Sequence, residues 1–139
     1  LDKRLEPVPR AYAKLIEGET FLARRNSRDA IRLFLEAQKL DDTWLGRLAL
    51  GRAYLEAGAF TEAYSEFELC EKRRGEAAAV FLDDIPSYRL LPPVYYYLGR
   101  AQEGLKSPAA AESLRTFLAI KEKSDTDPLV ADARRRIGR

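Results

Sequence analysis

The chain has no histidine, no methionine and one cysteine, Cys70. It also has no apolar run near the roughly 18 residues that span a bilayer. Without histidine the commonest general base is missing, and with it the histidine-based triads and most zinc sites. A single cysteine forms no internal disulfide and builds no cysteine-rich metal site. No glycine-rich loop of the phosphate-binding or dinucleotide-binding type occurs. An excess of one charge is lacking too: 24 Lys+Arg stand against 22 Asp+Glu, a formal net charge of +2. That is too small to argue for nucleic acid by itself. The adjacent acids Asp41–Asp42 and Asp83–Asp84 lack the spacing of a calcium loop and read as helix caps and solvated loop. The expectation is a chain that is not an enzyme and needs no cofactor or metal. No signal peptide is visible, which favours the cytoplasm. The absent methionine and the opening LDKRLEPVPR read as a segment cut from a longer protein, which leaves the periplasm open.

What is present is a repeat. The 139 residues fit one domain, and 33% charged with 46% hydrophobic residues suits a helical, salt-bridged surface. Gly51, Tyr54, Ala63, Phe67 and Cys70 each lie 33 residues after Gly18, Phe21, Ala30, Phe34 and Ala37. Five positions in phase at a period of about 20–50 residues signal stacked repeats. Leu98-Gly99-Arg100-Ala101 then restates Leu50-Gly51-Arg52-Ala53 letter for letter, 48 residues on. The longer step assigns an insertion to 75–91.

Read in order, residues 1–9 carry Pro7 and Pro9 and look like a linker, with Pro9 able to open a helix. Tyr12, Leu15, Ile16, Phe21 and Leu22 recur at helical spacing. Asn26 or Ser27 caps a second helix over about 28–40. Asp41-Asp42-Thr43 closes it and caps a third over about 43–57, which stops at Gly58. Thr61 is expected to cap the fourth. The first half of the insertion, 76–82, either extends the fourth helix or forms another turn; Pro86 within the insertion and the Pro92-Pro93 pair just after it call for non-helical backbone. Its apolar side chains (Val80, Phe81, Leu82, Ile85, Tyr88, Leu90 and Leu91) either pack on neighbouring helices or wall a groove. Asp127-Pro128 opens a last helix, with Leu129, Val130, Ala133 and Ile137 inward. Cys70 sits where the repeat wants a small buried residue and reads as a small hydrophobe. Trp44 reads as a packing residue between repeats rather than a binding hot spot.

Laid out this way, residues of about 10–121 resemble a tetratricopeptide repeat (TPR) array, a stack of antiparallel helix pairs of about 34 residues. The first repeat offers Gly18, Phe21, Ala30, Phe34 and Ala37; the second Gly51, Tyr54, Ala63, Phe67 and Cys70; the third Gly99, Gln102, Ala110, Leu114 and Phe117. Gln102 and Phe117 depart from the family pattern, which places an aromatic and a small residue there. The resemblance implies an all-α solenoid with three repeats (about 10–43, 44–74 and 92–121) and a capping helix at 127–138. The run FLDDIPSYRLLPPVYYYLGRAQEGL (81–105) also resembles segments in the TPR tails of bacterial signalling proteins. Several of those resemble eukaryotic-type Ser/Thr kinases ahead of the tail. That implies the non-catalytic sensor or docking part of such a protein.

In a TPR array the first helix of each repeat lines the concave face. The resemblance implies that Tyr12, Leu15, Glu19, Leu45, Leu48, Arg52, Leu55, Tyr96, Arg100 and Glu103 point there. The Lys/Asn/Arg clamp with which some TPR domains grip a C-terminal carboxylate is absent, since Leu15, Glu19, Ala49, Pro93 and Tyr97 stand at the matching positions. Arg52 and Arg100 either offer bidentate contacts to an acidic peptide or pair with Glu19, Glu56 or Glu103. Three functions follow as expectations. The first is a protein or peptide partner in the groove. The second is self-association through the open ends of the array, giving a homodimer. The third is nucleic acid on Lys121, Lys123 and Arg134–Arg136, against which Glu122, Asp125, Asp127 and Asp132 dilute the charge.

Overall fold

The computed structural model describes residues 7–79, 91–121, 123 and 126–138. Among the described residues the chain is all-helical, with eight helices and no strand. They are α1 (Pro7–Ala23), α2 (Ser27–Leu40), α3 (Trp44–Glu56), α4 (Phe60–Lys72), α5 (Arg74–Ala79), α6 (Leu91–Gly104), α7 (Ala110–Ile120) and α8 (Pro128–Ile137). No described helix is long and apolar enough to cross a membrane.

Local chemistry sets the boundaries. Asn26 caps α2 by accepting the Asp29 N–H, and Thr43 caps α3 by accepting the Gly46 N–H at 3.0 Å. Gly58 takes φ +75° after α3, a left-handed stop that glycine adopts without a Cβ penalty. Asp127 caps α8 through the Leu129 N–H at 2.9 Å, with Pro128 in the first turn.

Three expectations change. The cap of α4 is Ala59, with no side-chain bond, and Thr61 lies inside the helix. The Gly58 turn is tight, with the Ala59 N–H returning to the Tyr54 carbonyl at 2.9 Å, so the helix restarts before Thr61. Pro92 and Pro93 lie inside α6, because the first-turn N–H groups of a helix have no internal acceptor and the proline φ is already helical. Pro7, assigned to the linker, opens α1 for the same reason. The expected insertion begins within α5, as the helical option for its first half allows, and Leu91, its last residue, opens α6. The expectations for 1–6 and for 80–90, including most of the insertion's apolar side chains, lie outside the described residues.

Packing follows the repeat. The chain folds α1 back on α2, α3 on α4 and α6 on α7; α2 then packs on α3, α4 on α6 and α7 on α8. Within each pair a small residue admits a large one. A Cβ on Gly18 would stand 2.4 Å from Phe34 Cε1, one on Gly51 2.6 Å from Phe67 Cε1, and one on Gly99 2.7 Å from Leu114 Cγ. The 33-residue step is therefore a step between equivalent contacts.

Three apolar clusters lie in chain order. Leu15, Leu22, Phe34 and Leu50 centre the first; Trp44, Phe67, Val94 and Leu98 the second; Tyr96, Leu114, Phe117 and Val130 the third. Helices α3 and α6 each contribute to two of them.

The odd residues of the third pair are accommodated. Gln102 is buried, and its Oε1 accepts the Ser113 hydroxyl at 2.6 Å. Phe117 is fully buried, its ring 5.6 Å from that of Tyr96. Trp44 is a core residue: its Nε1–H donates at 2.9 Å to the Cys70 carbonyl, one of the last four of α4, a group that intrahelical bonds leave free. Cys70 is buried beside it. Burial, then the Glu66 charge, pushes its thiol up to about 12, so it packs as a small hydrophobe.

At the α2–α3 connection Arg47 bonds Asp42 through Nε (2.8 Å) and Nη2 (3.0 Å) and reaches Glu66 at 3.1 Å. Arg73 joins Asp42 to Glu76. These pairs tie the connection to α4 and α5 and hold the Asp42 carboxyl below its ordinary value, chiefly through the Arg47 hydrogen bond.

Candidate functional site: a two-part groove on α1, α3 and α6

The apolar stripe of α1 and the matching stripe of α3 meet in a groove with two ends. The first, about 620 Å³, is lined by Tyr12, Leu15, Ile16 and Thr20 of α1 and Leu45 and Ala49 of α3, with Glu19 at its edge. The second, about 470 Å³, lies one to two helical turns further along both helices. Arg25, Arg52, Leu55, Tyr96, Tyr97 and Arg100 are among the residues lining it. Positions 45 and 49, which line the first, and 52 and 56, which line the second, fall on one face of α3 at helical spacing, so both ends lie on the same side of that helix.

The sequence-derived site residues divide as follows. Tyr12, Leu15, Glu19 and Leu45 line the apolar end, and Arg52, Leu55, Tyr96 and Arg100 the cationic end. Leu48 is instead buried in the α3–α4 core. Glu103 is held by Arg136 of α8 at 2.7 Å. Leu15 and Tyr96 line the groove from largely buried positions, so each also serves as core.

Both arginines have partners inside the chain. Arg52 Nη1 donates to Glu19 Oε1 at 2.9 Å, and its guanidinium lies 6.0 Å from the centre of the Tyr97 ring. Tyr97 in turn stacks on Phe67 at 5.5 Å, which joins the groove floor to the core. Arg100 Nη1 donates to the Tyr96 hydroxyl at 2.9 Å and lies over that ring. Its acids, Glu103 and Asp132, stand 4.0 Å away and are both also bound by Arg136. The Tyr96 hydroxyl donates to Asp132 at 2.7 Å. Burial first, and this bond second, raise its pKa.

Ile16 and Arg25 are among several lining residues that the sequence pattern does not single out as groove residues. Ile16 is 70% exposed beside Tyr12. Arg25 follows α1 at φ 59° and, among the described residues, its side chain has no ion pair or hydrogen bond.

Asp132 anchors the far wall and yields a pH dependence. Burial would raise its pKa, but hydrogen bonds from Arg136 and Tyr96, with the charges of Arg136 and Arg135, outweigh burial and bring it to about 2 from 3.8. The folded value is the lower one, so the unfolded chain takes up the proton first. Stability from this group is full above about pH 4 and is lost as pH falls through about 2. The expected loss is about 1–2 kcal/mol. Urea midpoints taken across that range should fall more steeply for the wild type than for Asp132→Asn; parallel curves would contradict the assignment.

The C-terminal basic residues are largely neutralised within the fold. Lys121 pairs with Asp127 at 3.1 Å, and Arg135 and Arg136 both bind Asp132. Away from the groove, a third depression between α4, α6 and α7 is acidic, with Glu68, Glu71 and Glu112 in its lining. No cluster of three or more His, Cys, Asp or Glu among the described residues is placed to hold a metal ion. No family model matches the chain, and no curated protein matches it.

Proposed function

We propose that the chain is a non-catalytic protein-interaction module of the TPR kind. In this reading α1–α2, α3–α4 and α6–α7 are stacked repeats, α8 caps the last, and the face formed by α1, α3 and α6 holds a peptide or protein segment. One observation carries it: the cationic end is lined by the first helix of all three pairs, through Leu22 of α1, Arg52 of α3 and Tyr96 of α6. The recurring fits of Gly18 with Phe34, Gly51 with Phe67 and Gly99 with Leu114 support the stacking. Apolar walls with a few aimed polar groups suit a peptide ligand. The likeness of 81–105 to tails of bacterial signalling proteins adds the expectation that the module serves inside a larger signalling protein.

The test is capture of a partner from the source lysate by the wild type, by Ile16→Glu and by Arg52→Glu/Arg100→Glu, with helicity and melting temperature checked for each. Ile16 is 70% exposed, so the fold tolerates the charge. Loss of a central contact of this type costs about 2 kcal/mol, or roughly thirtyfold in affinity. Equal capture by all three proteins would remove this face as the site.

A second reading is self-association. Val8, Tyr12 and Ile16 form an exposed apolar row along successive turns of α1. A dimer closed through that row would dissociate in Ile16→Glu, and light scattering that finds a monomer at every concentration would reject it.

A further inference from the structure

The charge of the groove is uneven, and that unevenness says what it would bind. The second end gathers Arg25, Arg52 and Arg100, while Glu56 is the one acid among its lining residues. Arg25 has no side-chain partner among the described residues. Arg52 commits one N–H, to Glu19, and no other donor of its fork meets a described residue. Arg100 shares both its acids with Arg136. A guanidinium fork fits a carboxylate through two parallel hydrogen bonds, so these side chains retain capacity for an anion.

Glu19 stands between the two ends: it lines the apolar end while its carboxylate reaches Arg52 of the cationic end. The side chains of this pair are 43% and 35% exposed, and an exposed pair is held weakly.

We propose that the Arg25–Arg52–Arg100 end receives a carboxylate of the bound peptide and that Glu19 occupies part of that site in the free protein. An apolar side chain of the same peptide enters the neighbouring end beside Tyr12, Leu15 and Ile16. The partner is thus an acidic segment that pairs Asp or Glu with an aliphatic or aromatic anchor. This rests on the reading of the groove as a peptide site. The groove contributes cations from three elements: the end of α1, α3 and α6. The ligand therefore bridges the first and third helix pairs rather than lying on one helix. Glu19 acts as a built-in competitor, and its removal frees Arg52 without removing a ligand contact.

The experiment uses a displayed library of random peptides selected on the whole chain. The winning peptide is then synthesised and titrated against the wild type, Arg25→Glu/Arg52→Glu and Glu19→Gln at two salt concentrations. The expected winners carry Asp or Glu near an apolar residue. Their affinity should fall at least about tenfold in the arginine variant, rise about threefold in Glu19→Gln, and weaken with salt. Winners that compete for the groove but lack acids, and that bind the arginine variant equally, overturn this inference while the interaction reading stands. Weaker binding to Glu19→Gln makes Glu19 a ligand contact and overturns its role as competitor. Selection of no peptide overturns both the inference and the reading beneath it.

Discussion

Phe67→Ala is expected to lower unfolding stability by about 3–5 kcal/mol, with a fall in melting temperature of about 10–20 °C. Phe67 is fully buried, its ring fills the space that Gly51 leaves open, and it stacks on Tyr97. Truncation removes the apolar transfer term and opens a cavity whose walls are helix backbones that collapse only in part. The converse change, Gly51→Leu, should cost about 3 kcal/mol, because even a Cβ would stand 2.6 Å from the ring. The gain of roughly 1 kcal/mol in helix propensity over glycine is too small to offset that clash. The two costs arise from one space, so the double variant should be more stable than their sum predicts, by at least about 1 kcal/mol. Urea unfolding of the four proteins measures this. Additive costs would mean that Gly51 and Phe67 are not size-matched partners.

Trp44→Ala is the second large loss, about 3–5 kcal/mol from packing. The buried indole sits in the central cluster, where α3, α4 and α6 meet. Its N–H also satisfies the Cys70 carbonyl at the end of α4. Leaving that acceptor without a partner adds about 1 kcal/mol or more. Trp44→Phe separates the contributions, since it keeps most of the apolar volume and drops the hydrogen bond. It should cost about 1–2 kcal/mol. A Trp44→Phe variant as unstable as Trp44→Ala would put the hydrogen bond, not packing, in control.

The helix pairs were legible because their contacts recur at a fixed step. Gly18, Gly51 and Gly99 mark the places where a large side chain must enter, and Phe34, Phe67 and Leu114 are those side chains. Proline was harder to read: in Pro92-Pro93 it opens a helix, and local sequence does not separate that role from breaking one. The groove was legible where one face of α1 and α3 is exposed, hence Tyr12, Glu19, Leu45 and Arg52. It was not legible at Leu48. Helix α3 is covered on most sides, with Leu48, Ala49, Leu50 and Ala53 all buried, so its apolar pattern does not single out the open side. The pairing of Glu103 was not legible either: its partner Arg136 comes from α8, and only the fold brings them together. Arg25 was passed over because it lies past the end of α1, where helical spacing stops being a guide.

The most direct test of the central claim is a chemical-shift map of the isotope-labelled chain titrated with a library-selected peptide. The proposed groove predicts that shifts cluster on Ile16, Glu19, Ala49, Arg52 and Tyr96, which lie on three separate helices. Shifts confined to α2, α4 and α7, or centred on the acidic depression around Glu68 and Glu112, would contradict it.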